Sequence, residues 1–333
     1  MGGRIRTIAL LGGASFERGV DEDDLDAYLA DPRNLIWVDV TAPGADERSF
    51  LIEHFGFHPL ALEDSLSGRE RPKLAEHAGY FFLVTYGVPP RTSRQGAQPT
   101  RHDAVVLAEV GLFVGKNYVV SVHEGELPAM DRALTRFERA GALLSEGVGY
   151  LTYLVLDELV NGYAPVVDAI GEALSEVEAG IASGPAEGRI ERLLEIRRDV
   201  FQLRRMLYPT REALAPLVRA ERPLATASSR VYLQDTYEHV LRLLDLLDVH
   251  REMVAGSIDA SLAIVSNRLN MTMKRLTVLS AVVGFASCVF GAWGMNVPGV
   301  PAHAHPQGFW LVIALTSAVT VATLALGWRK GWL

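Results

Sequence analysis

Two uncharged apolar segments near the C-terminus constrain this chain more than any other feature. They cover residues 276–293 (LTVLSAVVGFASCVFGAW) and 309–328 (FWLVIALTSAVTVATLALGW), and neither contains Asp, Glu, Lys or Arg. Each is close to the ~20 residues that a helix needs to cross a bilayer. Other apolar runs, such as YFFLV at 80–84, have the length of buried strands. The sequence therefore predicts a multi-pass membrane protein with two C-terminal transmembrane helices.

The basic residues around these segments predict their orientation. Lys274 and Arg275 precede the first segment, Arg329 and Lys330 follow the second, and the loop between them has neither Lys nor Arg. Because basic residues concentrate on the cytoplasmic side, both termini are expected there. The N-terminus lacks the apolar core of a secretory signal. We therefore expect an inner-membrane protein with most of its chain in the cytoplasm.

Composition argues against several other classes. The formal net charge is −8, whereas a nucleic-acid partner needs a basic footprint. Cys288 is the only cysteine, which excludes an internal disulfide framework and a Cys-rich zinc site. GLFVGKN at 111–117 has no Ser or Thr after its lysine and is not a phosphate-binding loop. The sequence predicts neither an enzyme nor a resident cofactor.

The soluble part shows two kinds of pattern. Strand-like runs such as NLIWVDV alternate with helical ones such as ERSFLIEHF in the first third, and the pattern is helical from about residue 128. We predict an α+β cytoplasmic domain followed by helices. The predicted parts are an α/β domain at 1–127, a helical hairpin region at 128–227, a stalk helix continuing into the first transmembrane helix at 228–293, a loop at 294–308, and the second transmembrane helix with its basic tail at 309–333.

One very long helix is predicted between Pro223 and Pro298, an interval without proline. Apolar residues recur there at three- and four-residue steps. From 228 to 293 this helix would be about 100 Å long at ~1.5 Å per residue. Because so long an apolar stripe needs neighbours, the pattern indicates an oligomeric stalk.

A stripe of small and polar residues follows the membrane part of this helix. Its members are Asn270, Met273, Thr277, Ser280, Gly284, Ser287 and Gly291. Small residues and hydroxyl groups are common where membrane helices pack, so packing and a pore lining are both open interpretations of the spacing. Asn270, a polar amide at the membrane entrance with no apolar role, favours the pore.

A GMN tripeptide, Gly294, Met295 and Asn296, closes the first apolar segment and precedes a short loop, a final span and the tail RKGWL. With this motif the chain resembles the CorA metal-ion transporter family. Residues 57–86 are similar to the family's cytoplasmic domain, and 228–277 to its stalk helix. The resemblance implies a homopentameric funnel in the lipid bilayer, with five copies of the stripe facing a central pore.

The resemblance also implies roles for individual residues. Gly294, Met295 and Asn296 would form the selectivity entrance, where Asn296 offers an amide oxygen to a hydrated ion. The implied pore-lining set is Asn270, Met273, Leu276, Thr277, Ser280, Gly284, Ser287 and Gly291, with Met273 and Leu276 at a hydrophobic constriction. Neutral oxygens suit Mg²⁺, which gives up its water reluctantly and can be held through its hydration shell.

Several positions differ from the pattern of the magnesium-transporting members. Phe285 stands where a proline is usual, and Gly284 where a bulky gate residue is often found. Asp235 matches an acidic stalk position that resembles half of a regulatory metal site, although a solvated helix charge is the alternative. Its acidic partner is not evident, because Tyr86 is followed by Gly87, Val88 and Pro89.

The outward loop, VPGVPAHAHPQG, lacks acidic residues and resembles that of the ZntB zinc-transporting branch. His303 and His305 are candidate transient Zn²⁺ contacts, because imidazole suits that ion, or else loop histidines without a metal role. The leading prediction is Mg²⁺ influx, with Co²⁺ and Ni²⁺ as further candidate cargo. Proton-coupled Zn²⁺ transport is the alternative, and a membrane-anchored oligomeric scaffold is the alternative from another class.

Overall fold

A computed structural model describes residues 3–68, 70–90, 105–181, 188–219, 228–295 and 306–332. The chain divides into two compact units, Met1–Gly256 and Ser257–Leu333. The strands are β1 Arg4–Leu11, β2 Ser15–Arg18, β3 Leu35–Thr41, β4 Lys73–His77, β5 Tyr80–Gly87, β6 Ala108–Val114 and β7 Tyr118–His123. The helices are α1 Glu22–Ala30, α2 Ala45–Phe55, α3 Pro59–Asp64, α4 Pro128–Arg139, α5 Val148–Asn161, α6 Ala164–Ile181, α7 Arg189–Val218, α8 Ser229–Trp293 and α9 Gly308–Arg329.

The strands form one mixed sheet in the order β2-β1-β3-β7-β6-β5-β4. Its central pair, β3 and β7, is parallel, with Val38 opposite Val120, and the other pairs are antiparallel. Strand β3 (LIWVDVT) is buried from Leu35 to Val40. Such a continuous buried run is typical of a strand covered on both faces.

Aromatic contacts show what covers each face of the sheet. The ring of Trp37 lies 6.2 Å from that of Phe137 in α4. On the opposite face, by the strand register, Phe113 stacks on Phe57 with ring centroids 4.2 Å apart. Each fully buried aromatic side chain of this kind contributes about 1.5–3 kcal/mol. Helix α4 therefore packs on one face of the sheet, and the connection between α2 and α3 packs on the other.

The predicted long helix is confirmed: α8 runs unbroken from Ser229 to Trp293. The predicted α+β domain is confirmed as well, and so are the strands expected around RTIALL, NLIWVDV and YFFLVTYGV. Strands β2 and β4 were not predicted. The predicted helix breaker at Gly184 and Pro185 lies outside the described residues, and the domain limits at 127, 227, 293 and 308 stay predictions.

Candidate ion pathway

Among the described residues of the second unit, two helical segments are long and apolar enough to cross a membrane. They are the C-terminal part of α8 and the whole of α9, Gly308–Arg329. The ring of Trp293 at the end of α8 lies 6.3 Å from that of Phe309 near the start of α9. These two apolar segments therefore meet as a helical hairpin at the end where α8 stops.

One face of α8 is covered in the second unit. Its partly or fully buried residues in the apolar segment recur at three- and four-residue steps: Val278, Val282, Ala286, Val289 and Trp293. At 3.6 residues per turn these positions share one side of the helix. They form the side on which α8 is packed within the single chain.

The predicted pore-lining residues lie on the opposite side of α8. All eight are exposed in the single chain: Asn270, Met273, Leu276, Thr277, Ser280, Gly284, Ser287 and Gly291. At about 100° per residue, this stripe is centred roughly 180° from the covered face. The structure thus brings the predicted residues onto one surface that the chain itself leaves uncovered.

Thr277 shows how a hydroxyl on this surface could serve a hydrated cation. Its Oγ1 donates to the carbonyl oxygen of Met273 at 2.8 Å. The hydroxyl hydrogen is used within the helix, so the oxygen lone pairs remain as acceptors. Water molecules bound to a cation present hydrogens outward, and acceptors are what they require.

Two of the three GMN residues follow directly after the end of α8. Gly294 donates its N–H to the carbonyl oxygen of Phe290 at 2.9 Å, and Met295 is 57% exposed. A Cβ on Gly294 would lie 3.1 Å from that carbonyl oxygen, a tight contact. Asn296, His303 and His305 lie outside the described residues.

Asp235 is exposed on α8. Its negative charge acts on His239 one turn away, whose pKa is nevertheless lowered by burial and by Arg242. Among the described residues, no group of three or more His, Cys, Asp or Glu side chains is arranged to hold a metal ion. Gly87 stands where the acidic partner of Asp235 was expected. It is buried, and a Cβ there would lie 2.8 Å from the side chain of Leu159.

A buried polar network in the first unit was not predicted. Asp39 on β3 is 2% exposed and accepts hydrogen bonds from Ser121 at 2.5 Å and from Arg6 at 2.6 Å. His123 Nε2 lies 3.1 Å from the same carboxylate. Burial alone would raise the pKa of Asp39, but the contacts to His123, Ser121 and Arg6 lower it below its usual range. The network joins β3, β7 and β1, and an acidic residue inside an apolar strand was the available signal.

The fold and this surface define a class: membrane proteins with a large α/β unit, one very long helix and a second C-terminal apolar helix. The family described as "CorA-like Mg2+ transporter protein" matches residues 33–326. The chain therefore belongs to the CorA-like family.

Relatives of nearly the same length agree with this assignment. The chain is 29% identical to the putative metal ion transporter YfjQ of Bacillus subtilis over 89% of each chain. It is 25% identical to the cobalt/magnesium transport protein CorA of Methanocaldococcus jannaschii, over 94% of this chain and 96% of the relative. Both relatives are named as transporters.

Solved structures support the fold. The complete structure of the CorA magnesium transporter from Methanocaldococcus jannaschii superposes with a TM-score of 0.81 at 24% identity, covering 98% of each chain. The ZntB cytoplasmic domain from Vibrio parahaemolyticus gives a TM-score of 0.64 at 15% identity, covering 80% of this chain and 100% of that one. Both comparisons thus agree with the fold of this chain.

Proposed function

We propose that this protein is a homopentameric divalent-cation channel of the inner membrane, which admits Mg²⁺ and, as further candidates, Co²⁺ and Ni²⁺. The observation that carries the proposal is the exposed polar stripe on α8 leading directly to Gly294 and Met295, in a chain that belongs to the CorA-like family. Both termini would face the cytoplasm. Transported cations are the cargo, and no resident cofactor is part of the proposal.

The proposed pathway uses neutral oxygens and apolar side chains. Asn296 would receive the hydrated ion at the selectivity entrance with Gly294 and Met295, and Asn270 would line the cytoplasmic end. Between them, Met273 and Leu276 would narrow the pore, and Thr277, Ser280 and Ser287 would accept hydrogen bonds from the ion's water shell. Gly284 and Gly291 would leave width for that shell. A hydrated Mg²⁺ passes such a lining without losing its tightly held water.

Ion uptake into proteoliposomes tests this function. We expect Mg²⁺ uptake by the native protein and a loss of at least about tenfold for Asn296→Ala. A tenfold loss corresponds to about 1.4 kcal/mol of lost interaction between the ion and the entrance. The matched control is Asn267→Ala, an exposed asparagine of α8 outside the stripe. Equal Mg²⁺ uptake by native protein and Asn296→Ala would contradict the proposed entrance, and no Mg²⁺ uptake by the native protein would favour the scaffold.

The zinc alternative has its own support in the sequence. The outward loop has no acidic residue and contains His303 and His305, and no acidic residue stands at Gly87 to partner Asp235. The same vesicles are therefore given external Zn²⁺, with and without a pH gradient. Zn²⁺ uptake that increases with the proton gradient, together with little Mg²⁺ uptake, would reassign the protein to zinc transport.

A further inference from the structure

Tyr86 makes two short contacts that its single hydroxyl hydrogen cannot satisfy by donation alone. Its Oη lies 2.6 Å from the carbonyl oxygen of Glu70 and 2.9 Å from Oε2 of Glu109. A carbonyl oxygen can only accept, and the shorter contact is the one to Glu70. If the tyrosine hydrogen goes to Glu70, the hydrogen in the second contact has to come from Glu109.

The other contacts of Glu109 also favour a neutral carboxyl group. The residue lies on β6 opposite Tyr86 of β5 and is 7% exposed. Its Oε2 accepts the N–H of Glu70 at 3.1 Å, while its buried Oε1 has no hydrogen-bond partner among the described residues. A carboxylate would leave negative charge on that bare oxygen, whereas a carboxylic acid leaves only a carbonyl oxygen there.

The acidic groups around Glu109 favour its neutral form over a carboxylate. Asp64 and the side chain of Glu70 are acidic neighbours, and the ammonium group of Lys73 contacts both of them at 2.8 Å. Arg205 of α7 is a second positive charge, and it acts on Tyr86. Burial raises the pKa of Glu109, and the hydrogen bond from the Glu70 N–H opposes this without reversing it.

We propose that Glu109 is a proton-binding site of the cytoplasmic unit: the proton is carried on Oε2 and donated to the Tyr86 hydroxyl, whose own hydrogen goes to Glu70. The bound proton links the β5–β6 pair to Glu70. When pH rises through the titration of Glu109, the proton leaves and a carboxylate forms beside Asp64 and Glu70. The site lies within Met1–Gly256 and uses no residue of the proposed ion pathway.

Infrared titration of the full-length protein in lipid nanodiscs tests this site. We expect a carbonyl band from a protonated carboxylic acid that is lost in Glu109→Gln and kept in Glu124→Gln, an exposed matched control. Its midpoint should lie above the ~4.3 of an unperturbed glutamate. Identical spectra of native protein and Glu109→Gln, or a midpoint at or below ~4.3, would overturn the proposal.

Tyr86→Phe gives a second test, through the sign of a shift. If Glu109 donates to Tyr86, removing the hydroxyl removes an acceptor of the neutral acid, and the midpoint falls. If a carboxylate instead accepts from Tyr86, the same change raises the midpoint and the proposal is wrong. The melting temperature of the variant checks folding, and Glu109→Gln supplies the answer on its own where Tyr86→Phe does not fold.

Discussion

At the scale of single residues, this protein places a few ionisable groups inside apolar strands and balances them with specific partners. Asp39 is the example with the most deeply buried carboxylate. It accepts hydrogen bonds from Ser121 and Arg6 and contacts His123. Removing one member of such a set leaves the others buried and uncompensated. These residues are therefore expected to matter for folding, although none lies on the proposed ion pathway.

Asp39→Asn should lower the free energy of unfolding by about 3 kcal/mol, because it breaks a buried ion pair from one side. The lowered pKa of Asp39 also predicts a pH dependence. Its stabilisation is complete above the unfolded pKa of ~3.9 and is lost as pH falls through the folded value. Thermal unfolding in detergent at neutral and acidic pH measures both effects.

The exposed Asp23→Asn variant is the control for this pair of effects. It should unfold at nearly the native temperature and keep the native acid sensitivity. Acid sensitivity that is the same in Asp39→Asn as in the native protein would show that the carboxylate is not the group responsible.

At the scale of elements, close packing fixes how α3 meets the sheet. Gly111 of β6 faces Ser65 directly after α3, and a Cβ on the glycine would lie 2.4 Å from the Ser65 Cβ. Ser65 is 1% exposed and its hydroxyl donates to the carbonyl oxygen of Leu62. The two backbones can approach this closely only because the strand carries a glycine there.

Gly111→Ala should therefore destabilise the protein by about 1–3 kcal/mol, the usual cost of overpacking. Gly256→Ala is a contrasting change, because the added Cβ meets nothing within 4 Å in the single chain. In a helix interior it should stabilise by roughly 0.5–1 kcal/mol. Melting temperatures of both variants measure the difference, and a neutral Gly111→Ala would mean that α3 can move away from β6.

The two sides of α8 predict different access to water. On a Cys288→Ser background, which removes the only cysteine, Ser287→Cys places a thiol in the stripe and Val289→Cys places one on the covered face. We expect a water-soluble, charged thiol reagent to modify the first and to reduce Mg²⁺ uptake several-fold. The second should stay unmodified. Modification of Val289→Cys alone would place the pore on the other side of the helix.

At the scale of the whole molecule, the exposed stripe is the surface that neighbouring copies of the chain would cover in the proposed pentamer. Met273 and Leu276 are 61% and 56% exposed in the single chain. Their exposure fits either a bilayer or a central pathway bounded by further α8 helices. The proposed pentamer supplies the second environment, because five copies of α8 would turn their polar stripes towards one axis.

Native mass spectrometry from nanodiscs measures the number of subunits. We expect five copies of the 36.4-kDa chain. A monomer or dimer that still transports Mg²⁺ would contradict a pore formed by the stripes of five subunits.

The driving force gives a prediction for the assembled protein. Moving a dication through 100 mV supplies about 4.6 kcal/mol, twice the ~2.3 per elementary charge. Mg²⁺ uptake should therefore increase steeply when a potassium gradient with valinomycin makes the vesicle interior negative. Uptake that is indifferent to this potential but follows a pH gradient would indicate proton coupling instead.

Local features of the sequence predicted much of this architecture. The two apolar segments and α8 were recognisable because length, charge and three- to four-residue periodicity are properties of contiguous residues. The GMN motif at the end of α8 indicated the family, which the match over residues 33–326 confirms. The roles of the individual pore residues stay predictions, and Asn296 lies outside the described residues.

Features that join distant residues were not predictable in the same way. The short strands β2 and β4 lack a periodic signal of their own and are defined by antiparallel pairing with β1 and β5. Asp39 meets Ser121 across 82 positions of sequence, because β3 and β7 are parallel neighbours.

The sequence by itself thus determined the two membrane segments, the long helix and the family, because each depends on neighbouring residues. Only the tertiary structure decided which polar groups share a buried site, such as Tyr86, Glu70 and Glu109, and which side of α8 the chain covers. The physical reason is that burial and hydrogen-bond partners are set by packing between elements, which local periodicity does not encode.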